Sequence, residues 1–169
     1  LDFIERAKSQ GANLPGARLG GVHLEGPFLN DAYKGAFEIQ HLCKPDKVLF
    51  SEWLDAGGGL VKMITIAPEL PGADKVIELA VEKKVCVSGG HTAASYEEMC
   101  RAIEQGITHA THLYNAMPQL DRRNPGPAAA FLKKDTVACE IIGDFRHVHP
   151  VMVELTWRMK RGKILLISD

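Results

Sequence analysis

Six short segments of the chain are apolar along nearly their whole length, and stretches with helical patterning separate them. Strands of this kind, which do not alternate apolar with polar residues, are buried on both faces and belong to parallel sheets covered by helices. The predicted strands are residues 17–25, 60–67, 85–89, 107–112, 137–142 and 164–168. This order of strands and helices restricts the chain to the parallel α/β folds.

The segments between the strands carry helix signals. Ser95 and Glu98 form a capping-box pattern that starts a helix, and Pro150 suits the first turn of another. Helices are predicted over residues 2–10, 48–56, 73–84, 96–105, 128–134 and 150–161. Residues 28–47 and 113–127 are predicted to be long polar loops, and loops of that length are uncommon unless they are functional.

The number of strand–helix units favours a barrel over an open sheet. The sequence has neither a GxGxxG motif nor a P-loop, which disfavours a doubly wound nucleotide-binding sheet. A closed (β/α)8 barrel takes roughly 250 residues, so about two units are missing. We therefore predict an α/β fold, a partial (β/α)8 TIM-like barrel of about six units, with residues 1–169 as a single catalytic domain. Because the chain starts at Leu1 and stops at Asp169 directly after an apolar strand, we expect a fragment truncated at both ends.

Composition argues against several classes of partner. The net charge is −1, so no broad attraction to nucleic acid or to an anionic membrane is expected. No apolar run in the sequence approaches the roughly 20 residues that span a bilayer. The four cysteines form no CxxC pair, and Cys86 and Cys139 lie inside apolar strands, so we expect reduced thiols and a cytoplasmic protein.

Candidate metal ligands follow three of the predicted strands. Glu25 ends the first strand, His91 follows the third, and His112 ends the fourth. In a parallel barrel the carboxyl ends of all strands meet at one face, so these side chains are expected to converge. A carboxylate and two imidazoles leave a position for water and are typical of a catalytic metal site. His109 lies three residues before His112 and is predicted to face the other way, because side chains alternate along a strand.

Further polar residues are candidates for catalysis and substrate binding. Asp169 has the same strand-end position, where an acid beside a metal can serve as general base and acid, or it can cap a following helix. The loop that carries Asn115 and the Arg-Arg pair ending at Arg123 can bind a carboxylate or phosphate, or can be a solvated surface loop. The His-Val-His run that begins at His147 can donate to a substrate or bind a second metal.

Several motifs, taken together, resemble those of one enzyme family. They are His23-Leu24-Glu25-Gly26-Pro27-Phe28, Lys34-Gly35-Ala36, Gly90-His91-Thr92, Thr111-His112-Leu113-Tyr114-Asn115-Ala116-Met117, Pro125-Gly126 and Ile167-Ser168-Asp169. In their order and gaps they resemble the N-acetylglucosamine-6-phosphate deacetylases of the amidohydrolase superfamily over nearly all 169 residues. The resemblance implies strands 3 to 8 of the metal-dependent hydrolase barrel, without the first two strands and the small β-domain.

The resemblance also implies a role for each candidate residue. The metal ligands correspond to Glu25, His91 and His112, and the catalytic acid and base corresponds to Asp169. The substrate contacts correspond to Asn115, the backbone of Ala116, Arg123 and His147.

The implied reaction is hydrolysis of the acetamide of N-acetylglucosamine 6-phosphate to glucosamine 6-phosphate and acetate. The implied cofactor is a divalent metal, with zinc preferred over iron, manganese and cobalt, all of which suit two histidines and a glutamate. Arg123 matches an arginine that reaches the phosphate held by the neighbouring subunit, which implies a homodimer. Phe37 stands where many members have a substrate-contacting histidine, so the sequence departs from the family there.

Two alternatives to this function remain open. One is another amidohydrolase, acting on a cyclic amide. The other is a non-catalytic partial barrel that only binds metal or phosphosugar, and the isolated 169 residues are expected to show little activity.

Overall fold

The computed structural model of the protein describes residues 20–169, together with Arg6 and Ser9. Two predicted elements lie partly outside this part of the chain. They are the helix predicted over residues 2–10, apart from Arg6 and Ser9, and the first residues of the strand predicted from residue 17.

Residues 20–169 form a single sheet of six strands that are all parallel and lie side by side in chain order. The strands are β1 (Val22–Glu25), β2 (Val61–Ile66), β3 (Cys86–Gly89), β4 (Ile107–Ala110), β5 (Ala138–Ile142) and β6 (Ile164–Ile167). Parallel neighbours in chain order, joined by helical crossovers, are the arrangement of a (β/α)8 barrel, of which this is an open part. The predicted fold class is confirmed.

Five α-helices connect these strands in the described part of the chain. They are α1 (Lys47–Gly57), α2 (Ala73–Glu82), α3 (Tyr96–Gln105), α4 (Gly126–Lys133) and α5 (Pro150–Met159). Each corresponds to a helix predicted from the sequence, with bounds that differ by at most a few residues. The loop predicted over residues 28–47 contains two short 3-10 helices, Asp31–Tyr33 and Ile39–His41. No helix in the described residues is long and apolar enough to cross a membrane.

The two faces of the sheet have different chemistry. Strand residues such as Ile64, Ile66 and Ile141 are buried against the helices in one apolar core. Thr65 and Ser88, which are paired in register on the inner face, are also fully buried but polar. Because most of their neighbours in the strands are apolar, the sequence pattern alone does not reveal that these polar residues share an inner face.

A chain of hydrogen bonds runs across the inner face. The Thr65 Oγ1 atom lies 2.8 Å from His23 Nε2 and 2.7 Å from Thr111 Oγ1. The Thr111 hydroxyl in turn lies 2.6 Å from Ser88 Oγ. Because buried polar groups are costly unless they are paired, this chain fixes the segment after β4 against β2 and β3.

The N-terminus of α3 is held by the predicted capping box. The Ser95 hydroxyl accepts from the Glu98 N–H at 3.2 Å, and the Glu98 carboxylate accepts from the Ser95 N–H at 2.8 Å. Replacing Ser95 by Ala is expected to lower the free energy of unfolding by about 1 kcal/mol, the usual cost of a lost cap. Chemical denaturation measures this value, and Glu98→Gln, which keeps both halves of a capping box, is the control expected to lose less. An unchanged midpoint in the Ser95 variant would contradict this account.

Candidate metal centre

Three side chains from different strand ends meet at one point. Glu25 is the last residue of β1, and His91 and His112 lie two residues beyond the ends of β3 and β4. The Nε2 atoms of His91 and His112 lie 2.9 and 3.3 Å from Glu25 Oε1, and 2.9 Å from each other. The predicted convergence of these three residues is therefore present in the structure.

Left-handed backbone conformations aim both histidines into the site. The φ angle is +47° at His91 and +32° at His112, values that are uncommon for residues other than glycine. The sequence prediction that His112 is the last residue of its strand is wrong, because β4 ends at Ala110 and His112 lies in the turn that follows. His109 remains within β4, and its Nδ1 lies 2.9 Å from Cys86 Sγ.

The tautomer of His91 is set by a backbone carbonyl. Its Nδ1 lies 2.7 Å from the Tyr33 carbonyl oxygen, which can only accept, so Nδ1 carries the hydrogen. In the neutral ring the lone pair is then on Nε2, which faces both Glu25 Oε1 and His112 Nε2. His91 Nε2 and Glu25 Oε1 are then both acceptors, and two acceptors 2.9 Å apart repel unless a cation lies between them. Such outer partners, which orient the ring, are characteristic of metal-binding histidines.

The size of the cluster fits a small divalent ion. Ligand atoms about 2.0–2.1 Å from a tetrahedral ion are about 3.3 Å apart. The observed separations of 2.9–3.3 Å approach that value, and one donor atom from each residue lies within 4.8 Å of the others. Both imidazoles are at most 6% exposed, whereas the Glu25 side chain is 31% exposed, so the cluster opens towards solvent on the glutamate side. These residues fit a metal site.

The charges in the cluster stabilise one another. The hydrogen bond from His112 is the main cause that holds the pKa of Glu25 well below its usual range. Burial lowers the pKa of His112, but its bond to Glu25 and the nearby charge of Asp169 outweigh burial and raise the pKa overall. Glu140, on the inner face of β5, has a raised pKa because it is buried. A cation at this position would therefore lie beside the ionised carboxylate of Glu25.

The loop after β1 covers the outer side of His91. The Phe37 ring contacts the imidazole edge-on, with 5.3 Å between ring centroids. A side chain at Gly35, whose φ is +58°, would approach the imidazole Cε1 atom at 3.2 Å. Phe37, where the sequence departs from the family pattern, therefore packs against a candidate metal ligand.

Gly90 allows the His91 turn to approach the neighbouring strands. A Cβ atom there would lie 2.7 Å from Thr111 Cβ and 3.1 Å from Thr65 Cγ2. Gly90→Ala is expected to lower the free energy of unfolding by about 1–3 kcal/mol, the range for an overpacked core. Chemical denaturation tests this, with Gly20→Ala as control because nothing lies within 4 Å of the Cβ position at Gly20. Equal stability of the two variants would contradict the close approach.

The segment after β4 is anchored to the segment after β3. The Ala116 carbonyl accepts the Thr92 N–H at 3.2 Å, and φ at Ala116 is +49°. The Asn115 side-chain amide donates to the carbonyls of His112 and Leu113 at 3.2 and 3.4 Å. The Asn115 NH2 group therefore supports the His112 turn, and its amide oxygen has no described partner among residues 20–169.

The other predicted site residues lie around this centre rather than in it. Arg123 lines a cavity of about 340 Å³ beside the N-terminus of α3, and His147 lines a separate cavity of the same size. Pro118 lines both. Asp169 lies two residues beyond the end of β6, close enough for its charge to raise the pKa of His112.

Local contacts account for both histidines of the His-Val-His run. His147 Nδ1 lies 2.8 Å from a carboxylate oxygen of Asp144, and His149 Nδ1 accepts from the Val151 N–H at the start of α5. The structure therefore gives no support to a second metal at this run.

Two residues near the centre were missed by sequence reasoning. Tyr33 acts through its backbone carbonyl, which leaves no signal in the sequence. Glu69, three residues beyond β2, accepts hydrogen bonds from Asn30, Thr92 and Ala93. A signal for Glu69 did exist, because Pro68-Glu69 follows a predicted strand just as the other candidates do.

No family model matches the chain, but individual known proteins do. It is 35% identical to an N-acetylglucosamine-6-phosphate deacetylase of Lysinibacillus sphaericus, over 100% of this chain and 45% of the relative. It is 36% identical to one of Bacillus subtilis, over 94% of this chain and 40% of the relative. An N-acetylgalactosamine-6-phosphate deacetylase of a Shewanella species is also 36% identical, over 88% of this chain and 38% of the relative.

The chain is also similar to solved structures of N-acetylglucosamine-6-phosphate deacetylases. An N-acetylglucosamine-6-phosphate deacetylase of Mycobacterium smegmatis is 37% identical, with a TM-score of 0.89 over 98% of this chain and 42% of that chain. A mutant of that enzyme is known in complex with N-acetyl-D-glucosamine 6-phosphate and superimposes equally well. The enzyme of Thermotoga maritima is 31% identical, with a TM-score of 0.83 over 99% of this chain and 43% of that chain.

The chain thus spans less than half the length of the curated relatives that it matches. Within that part, sequence identity and fold lead to the same group of proteins. Over the part that it spans, the chain is homologous in sequence and in fold to the N-acetylglucosamine-6-phosphate deacetylases.

Proposed function

We propose that the protein hydrolyses the acetamide of N-acetylglucosamine 6-phosphate to glucosamine 6-phosphate and acetate. Residues 1–169 would supply part of a single catalytic barrel domain in this enzyme. The activity named for the relatives supports the reaction. The cluster of possible metal ligands at the strand ends supports that edge of the sheet as the place where it occurs. The single observation that carries the proposal is the meeting of Glu25, His91 and His112 donor atoms within 2.9–3.3 Å.

These three residues would hold a divalent ion, zinc before iron, manganese or cobalt. Such an ion polarises the amide carbonyl and lowers the pKa of water. The Tyr33 carbonyl keeps His91 in the tautomer with its lone pair on Nε2, as a ligand requires. Phe37 packs against the same ring and limits access of water to it.

Asp169 is proposed to move the proton that the reaction requires. Its carboxylate takes a proton from the attacking water as the carbon–oxygen bond forms. It then returns that proton to the nitrogen as the carbon–nitrogen bond breaks, because an amine leaves poorly as an anion. The electrostatic effect of Asp169 on His112 supports its place beside the centre.

Asn115, the backbone of Ala116, Arg123 and His147 are proposed to bind the phosphosugar. Binding energy from the phosphate, which does not react, would orient the amide for attack. The proposed homodimer, in which Arg123 reaches the phosphate held by the neighbouring subunit, rests on the family resemblance; Arg123 itself lines a cavity that neither His91 nor His112 lines. The cytoplasmic location stays a prediction.

N-acetylgalactosamine 6-phosphate is a second candidate substrate. The relative from the Shewanella species that is named for it is 36% identical, as close as the relatives named for the glucosamine sugar. The two sugars differ only at C4, so the proposed chemistry at the acetamide is the same.

Steady-state kinetics on three substrates tests the function. The zinc-loaded enzyme with a complete barrel, of which residues 1–169 would supply part, is expected to act on N-acetylglucosamine 6-phosphate with a kcat/KM at least ~10-fold above that for the unphosphorylated sugar, since each charge-assisted hydrogen bond contributes roughly 1.5–3 kcal/mol. Comparison with N-acetylgalactosamine 6-phosphate identifies the preferred epimer. Bound zinc without turnover of any phosphosugar, or equal turnover of the unphosphorylated sugar, would overturn the proposal.

A further inference from the structure

We propose that Glu69 is the positioning residue for His91, and that it fixes both the backbone and the ring of this histidine. The proposal rests on the proposed function only in treating His91 as a metal ligand. Glu69 is half-buried in the loop after β2, and its carboxylate is bound by groups from the loops after β1 and after β3.

The first set of contacts fixes the backbone of His91. The Glu69 carboxylate accepts from the Thr92 hydroxyl at 2.5 Å and from the Ala93 N–H at 2.6 Å. These two residues directly follow His91, whose left-handed φ of +47° has to be held by its surroundings. Hydrogen bonds to an ionised acceptor are roughly twice as strong as neutral ones, so Glu69 suits this task.

The second set of contacts reaches the imidazole ring. The Asn30 side-chain amide donates to Glu69 Oε1 at 3.0 Å. The Asn30 Oδ1 atom, on the other side of the amide, accepts the Ala32 N–H at 2.9 Å and caps the 3-10 helix Asp31–Tyr33. The carbonyl of Tyr33 ends that helix and accepts from His91 Nδ1 at 2.7 Å. The Glu69 carboxylate, acting through Asn30, therefore helps to hold the Tyr33 carbonyl that sets the tautomer of His91.

The backbone of Asn30 closes the arrangement. Its N–H donates to the His91 carbonyl at 2.9 Å, so Asn30 is bound to His91 and to Glu69 at once. Removal of Glu69 would break its hydrogen bonds to Asn30, Thr92 and Ala93 together, and the ring and the backbone of His91 would lose the support that passes through Glu69. Loss of outer partners of a metal-binding histidine typically costs about 10–100-fold in metal affinity.

A pair of variants separates this role from general stabilisation. Glu69→Ala removes every acceptor, whereas Glu69→Gln keeps an oxygen for Asn30 and Ala93, and its NH2 group can donate to the Thr92 hydroxyl. Glu82→Ala, at the exposed C-terminal end of α2, is the matched control. In competition with a chelator, zinc affinity is expected to fall about 10–100-fold in Glu69→Ala and to stay near the wild-type value in the other two. Wild-type affinity in Glu69→Ala would overturn the proposal.

A second measurement needs no metal. In the metal-free protein the His91 Nδ1 hydrogen, bound to the Tyr33 carbonyl, is expected to give a slowly exchanging imidazole NMR signal that disappears in Glu69→Ala and returns in Glu69→Gln. If the wild type binds no zinc, the proposed function fails, while this signal still tests Glu69. Should Glu69→Ala not fold, Asn30→Ala breaks the link to Tyr33 alone and is expected to lose the same signal. Persistence of the signal in whichever variant folds would overturn the proposal.

Discussion

Replacing Asp169 by Asn in the enzyme with a complete barrel is expected to lower kcat for N-acetylglucosamine 6-phosphate by about 10²–10⁴-fold, the usual contribution of a general acid and base. The amide of asparagine can neither take a proton from water nor return one to the leaving amine. Because Asp169 lies beyond β6 and is not among the three clustered donors, the variant is expected to keep its metal. Steady-state kinetics and elemental analysis of the same sample measure both quantities.

Asp74→Asn is the matched control for this variant. Asp74 lies on α2 and is exposed, and its one ionic partner in the described part of the chain is Lys75, at 3.9 Å. The control is expected to keep wild-type kcat and metal content. If Asp169→Asn turned over substrate at the wild-type rate, the proton-transfer role would have to belong to another group. A variant without metal would instead indicate that Asp169 helps to hold the ion.

Much of this architecture could be predicted because the deciding signals are local. β2 and β6 are apolar at almost every position, and the capping box at Ser95 places the start of α3 to the residue. Once the strands are known to be parallel, Glu25, His91 and His112 must lie at one edge, since carboxyl ends of parallel strands share it. Convergence of residues far apart in the chain therefore followed from topology.

The direction in which the two histidine side chains point could not be predicted in the same way. Alternation of side chains along a strand predicts that His109 and His112 face opposite ways. His112, however, lies beyond the strand in a left-handed turn, where alternation does not apply. That turn depends on Thr111, whose hydroxyl is held by β2 and β3. Contacts between distant segments decided the geometry, and a single sequence contains no record of them.

The supports of His91 illustrate a second limit. The loop over residues 28–47 is polar and aperiodic, so its composition predicts no fixed structure. In the structure a short helix within it presents the Tyr33 carbonyl to His91, and this helix is capped by Asn30. Backbone groups are the same at every position, so a role carried by a carbonyl is visible only after folding.

Because Glu25, His91 and His112 converge on one point, replacing His112 by Ala is expected to cause loss of the metal. Zinc affinity is expected to fall by more than ~100-fold, beyond the range seen when only outer partners are changed. The reason is that two donors remain, and Glu25 loses the partner that contributes most to its low pKa. Competition with a chelator measures the affinity directly.

His109→Ala is the matched control, because His109 lies three residues earlier in the same segment and contacts Cys86 Sγ and Thr108 instead of Glu25. Zinc at about 100 times its Kd is expected to stabilise the wild type and this control by about 2.7 kcal/mol, since binding to the folded state alone shifts the unfolding equilibrium. The same zinc concentration is expected to leave the melting temperature of His112→Ala nearly unchanged. If His112→Ala bound zinc and gained stability as the control does, the ion would lie elsewhere in the protein. Glu25 and His91 would then lose their assignment as well, because the case for all three residues rests on one shared point of contact.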